Sequence, residues 1–144
     1  MTSVQNTAEN ISHRMAKVRQ RDTAAEMALR RAVYRQNFRY RVNYTVLTNP
    51  RRVADMAFPS LRVAVFVDGC FWHGCPEHAT WPKTNSQFWL KKIEANRARD
   101  IDTNARLCAI GWHVVRIWEH EAPAEAAIRI TNLVRNLKVI TRVC

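Results

Sequence analysis

No apolar run in this chain approaches the roughly 18 residues a membrane-spanning helix needs, and residues 1–10, MTSVQNTAEN, lack the basic and then apolar blocks of a secretory signal. Both absences predict a cytoplasmic protein with no membrane partner. Cysteine is scarce as well: Cys70, Cys75, Cys108 and Cys144 are too few and too unevenly spaced for the disulfide framework of a secreted domain. In a reducing cell the close pair Cys70/Cys75 points instead to metal binding or chemistry. Internal repeats and linkers are missing too, so residues 13–144 read as one domain behind an unpatterned polar arm, residues 1–12, expected to be disordered. A chain of 144 residues can bury about 68–70% of its unfolded surface without staples. Acidic residues are the last shortage. Only 12 Asp/Glu stand against 23 Lys/Arg, which gives a net charge of +11.

What is abundant is arginine. Residues 1–52 hold eleven Lys/Arg against Glu9, Asp22 and Glu26, and ten of the eleven are Arg, the side chain suited to planar phosphate recognition. A polyanion is the natural partner, although a solvated basic face that keeps the protein soluble accounts for composition equally well.

Thr23-Ala24-Ala25-Glu26 has the form of a capping box, and Ala25, Leu29, Ala32 and Val33 follow at helical spacing, predicting a helix to about Gln36. Phe38, Tyr40, Val42 and Tyr44 alternate with Arg39, Arg41 and Asn43, as in a strand with one buried face. After Thr48-Asn49-Pro50, Val53–Phe58 reads as a second strand, and Arg62–Val67 follows so closely that the two should form a hairpin. Ser86 can cap a long helix ended by Gly111, with Phe88, Ile93, Ala105, Leu107 and Ile110 facing in. Trp112–Trp118 reads as a fourth strand, and Pro123 opens a last helix to about Lys138. The order α, β, β, β, α, β, α describes a small α/β (α+β) domain with a mixed sheet.

The chemistry concentrates after the strand Arg62–Val67, where Asp68-Gly69 opens the turn Cys70-Phe71-Trp72-His73-Gly74-Cys75-Pro76-Glu77-His78. Cys70, Cys75 and His78 offer three ligands for a structural Zn²⁺, which wants a fourth from elsewhere. His120 fits if its strand runs parallel to Arg62–Val67, so that both open on one sheet edge; His73 is a rival ligand. Asp55 is an acid inside an apolar strand, where a lone carboxylate is costly without a cation. Together with a carbonyl at the end of the adjacent strand it would suit Mg²⁺, which can activate water and offset charge on a phosphate. Pairing of Asp55 with Arg51 or Arg52 is the alternative. His73 could move a proton near neutral pH, and Asp100 could orient a partner or join a helix-face ion pair. Phe71, Trp72 and Trp89 are either core aromatics or wedges into a base stack.

These residues, with Pro82-Lys83-Thr84-Asn85, Phe88-Trp89, Lys92-Ile93, Asn96, Arg99-Asp100, Gly111-Trp112 and Trp118-Glu119, closely resemble the very short patch repair (Vsr) mismatch endonucleases. Arg21-Asp22-Thr23 with Glu26, and Ala54-Asp55, fit the same pattern, so the likeness covers about residues 13–121. The resemblance implies a restriction-endonuclease-like fold carrying a structural Zn²⁺. It makes Asp55 the principal Mg²⁺ ligand, helped by the Val67 carbonyl, His73 a catalytic histidine, and Asp100 and Glu26 supports of the site. Phe71, Trp72 and Trp89 become DNA wedges, and Cys70, Cys75, His78 and His120 take the zinc positions. Two positions depart from the best-known member of that family. It has His where this chain has Asp68, which leaves Asp68 open as base, metal ligand or hydrogen-bond partner, and Cys where this chain has His120. The activity implied is a Mg²⁺-dependent nick on the 5′ side of the thymine in a T:G mismatch of double-stranded DNA, carried out by a monomer at the bacterial nucleoid. MutL-type factors and DNA polymerase I would be its repair partners. A related restriction-type or modification-dependent nuclease, or a zinc-stabilised DNA-binding module without catalysis, are the alternatives.

Overall fold

Thr23 starts the first helix, α1 (Ala24–Arg35), as its spacing predicts. Its hydroxyl accepts the Glu26 N–H at 3.3 Å, and the Glu26 carboxylate accepts the Thr23 N–H at 3.4 Å, closing the capping box. The structure, a computed structural model, describes residues 23–69 and 86–143. The expected disordered arm and the turn from Cys70 to His78 lie outside the described residues.

Behind α1 come β1 (Arg41–Thr48), β2 (Arg51–Phe58), a single 3-10 turn at Pro59–Leu61, β3 (Val63–Asp68), α2 (Ser86–Ala109), β4 (His113–Trp118) and α3 (Pro123–Val143). The strands form one sheet in the order β1-β2-β3-β4. β1/β2 and β2/β3 are antiparallel, while β3/β4 is parallel and runs in register from Val63↔His113 to Asp68↔Trp118. The expected mixed sheet is therefore present, with its hairpin and its parallel pair.

β3 is nearly all Val, Ala and Phe because both of its faces are covered. On one face Val63 and Val65 pack with Leu29 and Val33 of α1 and with Ala127, Ile130 and Val134 of α3. On the other, Ala64 and Phe66 meet Val46, Ala54 and Leu107, the last from α2. Helices thus sandwich the sheet, and each fully buried aliphatic side chain contributes about 1.5–3 kcal/mol.

Three details differ from the sequence expectation. The first strand is Arg41–Thr48, later than Phe38–Tyr44, and Val42 is exposed. Asn43 has a left-handed φ of 46° there, which breaks the alternation. The inward stripe of α2 is Trp89, Ile93, Thr103 and Leu107, whereas Phe88, Ala105 and Ile110 are exposed. Both sets fit a helical period, and packing selects the one that seats the larger ring. α3 continues past Lys138 to Val143 because no Gly or Pro interrupts it. Gly111 ends α2 as expected, in the left-handed region at φ 87°.

Candidate active site

Ala54 and Met56 lie two positions apart on β2, yet Ala54 belongs to the cluster on the α2 side and Met56 to the cluster under α1 and α3. A regular strand would put both on one face. The parity breaks at Asp55, opposite the left-handed Asn43. β2 and β3 are paired only over Met56–Phe58 and Val63–Val65. Beyond that the strands part, and the Asp55 carboxylate fills the gap by accepting the Val67 N–H at 2.6 Å. Asp68 turns its carbonyl toward β4, where it accepts the Glu119 N–H at 3.0 Å. Val67, one residue back, therefore turns both its N–H and its C=O to the Asp55 side. The Asp55 carboxylate and the Val67 backbone thus face the same gap.

The surroundings of Asp55 are acidic. Burial is the largest influence and raises its pKa from 3.8 to about 7; the Val67 N–H opposes the rise, and the neighbouring carboxylates of Glu26 and Asp68 add to it. Glu26 is 4% exposed and lies 3.7 Å from Arg30. It is both the helix cap and a neighbour of Asp55. Arg52 does not pair with Asp55: its Nη2 binds Asp102 at 3.2 Å and its Nε donates to the Thr103 hydroxyl at 2.9 Å.

Asp68 is 8% exposed, and its Oδ1 meets Arg116 Nη1 at 2.9 Å. The same guanidinium lies 3.4 Å from Asp100 Oδ1 on α2. Asp100 and Asp68, expected near the site on separate grounds, are thus joined by a residue the sequence did not single out. Arg116 sits in an alternating strand where an arginine reads as a wet-face residue, and its partners are 48 and 16 positions away.

His120 is exposed, its ring stacked on Trp118 with centroids 6.4 Å apart. It follows β4 at the same end of the sheet as Asp68-Gly69, the end of β3. No group of three or more His, Cys, Asp or Glu able to hold a metal occurs among the described residues. Cys70, Phe71, Trp72, His73, Cys75 and His78 lie outside them. Trp89 departs from the expected wedge. It is 0% exposed, set edge-on to Phe88 with centroids 5.1 Å apart, because it is the first member of the inward stripe of α2. Phe88, beside it, is 43% exposed, and Lys92 Nζ lies 5.3 Å from its ring centroid.

A family model described as DNA mismatch endonuclease Vsr matches residues 4–78. The type II nicking enzyme V.NaeI of Lentzea aerocolonigenes is 38% identical over 129 residues, covering 88% of this chain and 78% of that protein. The type II nicking enzyme V.NmeAIP of Neisseria meningitidis serogroup A is 35% identical over 144 residues, 96% of this chain and 98% of that protein. The DNA mismatch endonuclease Vsr of Escherichia coli is 36% identical over 112 residues, 75% of this chain and 68% of that protein.

Proposed function

Because this chain belongs to the Vsr family and is a DNA endonuclease, we propose that it nicks one strand of double-stranded DNA on the 5′ side of the thymine in a T:G mismatch, with Mg²⁺, in very short patch repair of deaminated 5-methylcytosine. The observation that carries this reading is the Asp55 gap: a carboxylate beside a strand carbonyl, crowded by Glu26 and Asp68. No lysine or arginine pairs with Asp55 among the described residues, so the excess of carboxylate charge fits a divalent cation. Asp55 and the Val67 carbonyl would hold Mg²⁺, which keeps most of its coordination for water and phosphate. When bound, it supplies charge neutralisation on the phosphate and a more acidic water.

The chain's own groups do the rest. Glu26 orients Asp55 from α1. His73 takes or gives a proton at the reacting phosphate, and Phe71 and Trp72 enter the base stack beside the mismatch. Buried Trp89 holds the start of α2 in place. Cys70, Cys75, His78 and His120 would supply two thiolates and two imidazoles to a structural Zn²⁺, tying the turn after β3 to the end of β4. The chain acts as a monomer, with MutL-type factors and DNA polymerase I as downstream partners.

An end-labelled duplex with one T:G pair tests this directly, with Mg²⁺ and with EDTA, beside a matched duplex and across varied flanking bases. A Mg²⁺-dependent nick confined to the T strand is expected. The relatives named as type II nicking enzymes favour a second reading, in which the same chemistry is directed at another target. Cutting of matched or methylated duplexes in preference to the mismatch would establish it.

A further inference from the structure

One guanidinium ties three elements of the site together. From β4, Arg116 Nη1 binds Asp68 Oδ1 on β3 at 2.9 Å and Asp100 Oδ1 on α2 at 3.4 Å. Its Nε donates to Asn104 Oδ1 at 3.1 Å and its Nη2 to the Asp100 carbonyl at 3.5 Å. The plane of the group is supported from below, with Cζ 4.1 Å from the Phe66 ring centroid. Behind it, Arg129 of α3 donates to the Arg116 carbonyl at 2.9 Å and to Glu121 at 2.8 Å, which fixes the strand that carries it. A side chain only 22% exposed, with this many directed contacts, is not a solvated surface arginine.

We propose that Arg116 is a positioning residue of the nicking reaction: it sets Asp68 and Asp100 relative to Asp55 and offsets the charge of Asp68, which serves as its anchored counter-ion. The proposal rests on the metal-dependent reading of the Asp55 gap. Two arguments carry it. The first is geometry: Asp68 Oδ1 receives a charge-assisted hydrogen bond, the stronger class of such bonds, from the same guanidinium that reaches Asp100, so one group orients both carboxylates. The second is charge. Asp68 is buried and close enough to Asp55 to raise its pKa, and Arg116 is a cation in direct contact with it; removing the guanidinium takes that compensation from a buried carboxylate. A lysine could not substitute fully, because one ammonium lacks the planar fork that serves two carboxylates at once.

The test is single-turnover nicking of the T:G duplex at saturating Mg²⁺, with duplex affinity measured by anisotropy in EDTA and folding checked by thermal melting. Wild type is compared with R116Q, R116K, D68N and D68N/R116Q. R116Q should nick at least tenfold more slowly while binding the duplex within twofold of wild type. The double variant should nick faster than R116Q, since it removes the stranded charge; it also serves as the folded comparison where R116Q melts early. R116K should fall between wild type and R116Q. If R116Q nicks within threefold of wild type, or the double variant is slowed by the product of the two single effects, the proposal is overturned while the functional reading stands. A wild-type protein that cuts no duplex overturns the functional reading and this proposal with it.

Discussion

Asp55→Asn should stabilise the metal-free protein at neutral and alkaline pH while abolishing its response to Mg²⁺. In the native state the carboxyl holds its proton up to about pH 7, whereas its ordinary value is 3.8. The unfolded chain therefore ionises first. Below about pH 4 the group is neutral in both states and costs nothing; between pH 4 and 7 the native state loses stability as pH rises, and above 7 the cost is complete. At about 1.36 kcal/mol per pH unit the ceiling is about 4 kcal/mol. Relaxation and water entry in the parted strands reduce it, so a gain of about 2 kcal/mol, or about 8 °C in Tm, is expected for D55N at pH 8. Asparagine retains an oxygen for the Val67 N–H, so charge is the chief change. Thermal melts of both proteins from pH 4 to 8 in EDTA measure the gap, which should close toward pH 4. Adding Mg²⁺ at ten times its dissociation constant should stabilise wild type by about 1.4 kcal/mol and leave D55N unmoved. Equal melting at pH 8, or a gap independent of pH, would refute the acidic-cluster account of the site.

Glu26→Gln keeps an acceptor for the Thr23 N–H but removes a charge beside Asp55, so it should raise the Mg²⁺ concentration for half-maximal nicking several-fold without lowering Tm. Thr23→Ala should do the reverse, costing about 1 kcal/mol of stability and leaving the Mg²⁺ requirement unchanged. Leu107→Ala removes a fully buried anchor of α2 and should cost about 3 kcal/mol in a urea titration. His120→Ala should lower the zinc content of the purified protein, measured by elemental analysis, whereas His113→Ala, an exposed histidine at the start of β4, should not.

What was legible in the sequence is what depends on neighbours in the chain. The capping box needs Thr23 and Glu26 three apart, the hairpin needs β2 and β3 joined by a short turn, and the α2 stop needs Gly111. Asp55 was legible because an acid in an apolar strand is costly without a reason. The facing of α2 was not, since Phe88 and Trp89 are adjacent aromatics and only the space under the helix decides which turns in. Asn43 alternates in the sequence like an ordinary outward position of a strand, yet its backbone is left-handed, which no neighbour in the chain announces. Arg116 was invisible for a different reason: all that distinguishes it lies on β3 and α2.

The site draws on both sides of the sheet, which sets how it should fail. Glu26 comes from α1 on one face, and Asp100 with Asn104 from α2 on the other, while Asp55 and Asp68 stand on the strands between. Among the described residues, α2 packs on the cluster around Phe66 through Leu107, whereas α1 and α3 share the larger cluster beneath Val63 and Val65. Loosening α2 therefore frees Arg116 from Asp100 and Asn104 before the main core opens, and Asp68 loses its orientation with them. Nicking should fall at lower denaturant than the loss of helix signal, since elements with the fewest buried contacts open first. Coincident loss of activity and fold would instead place α2 in the same cooperative unit as the core.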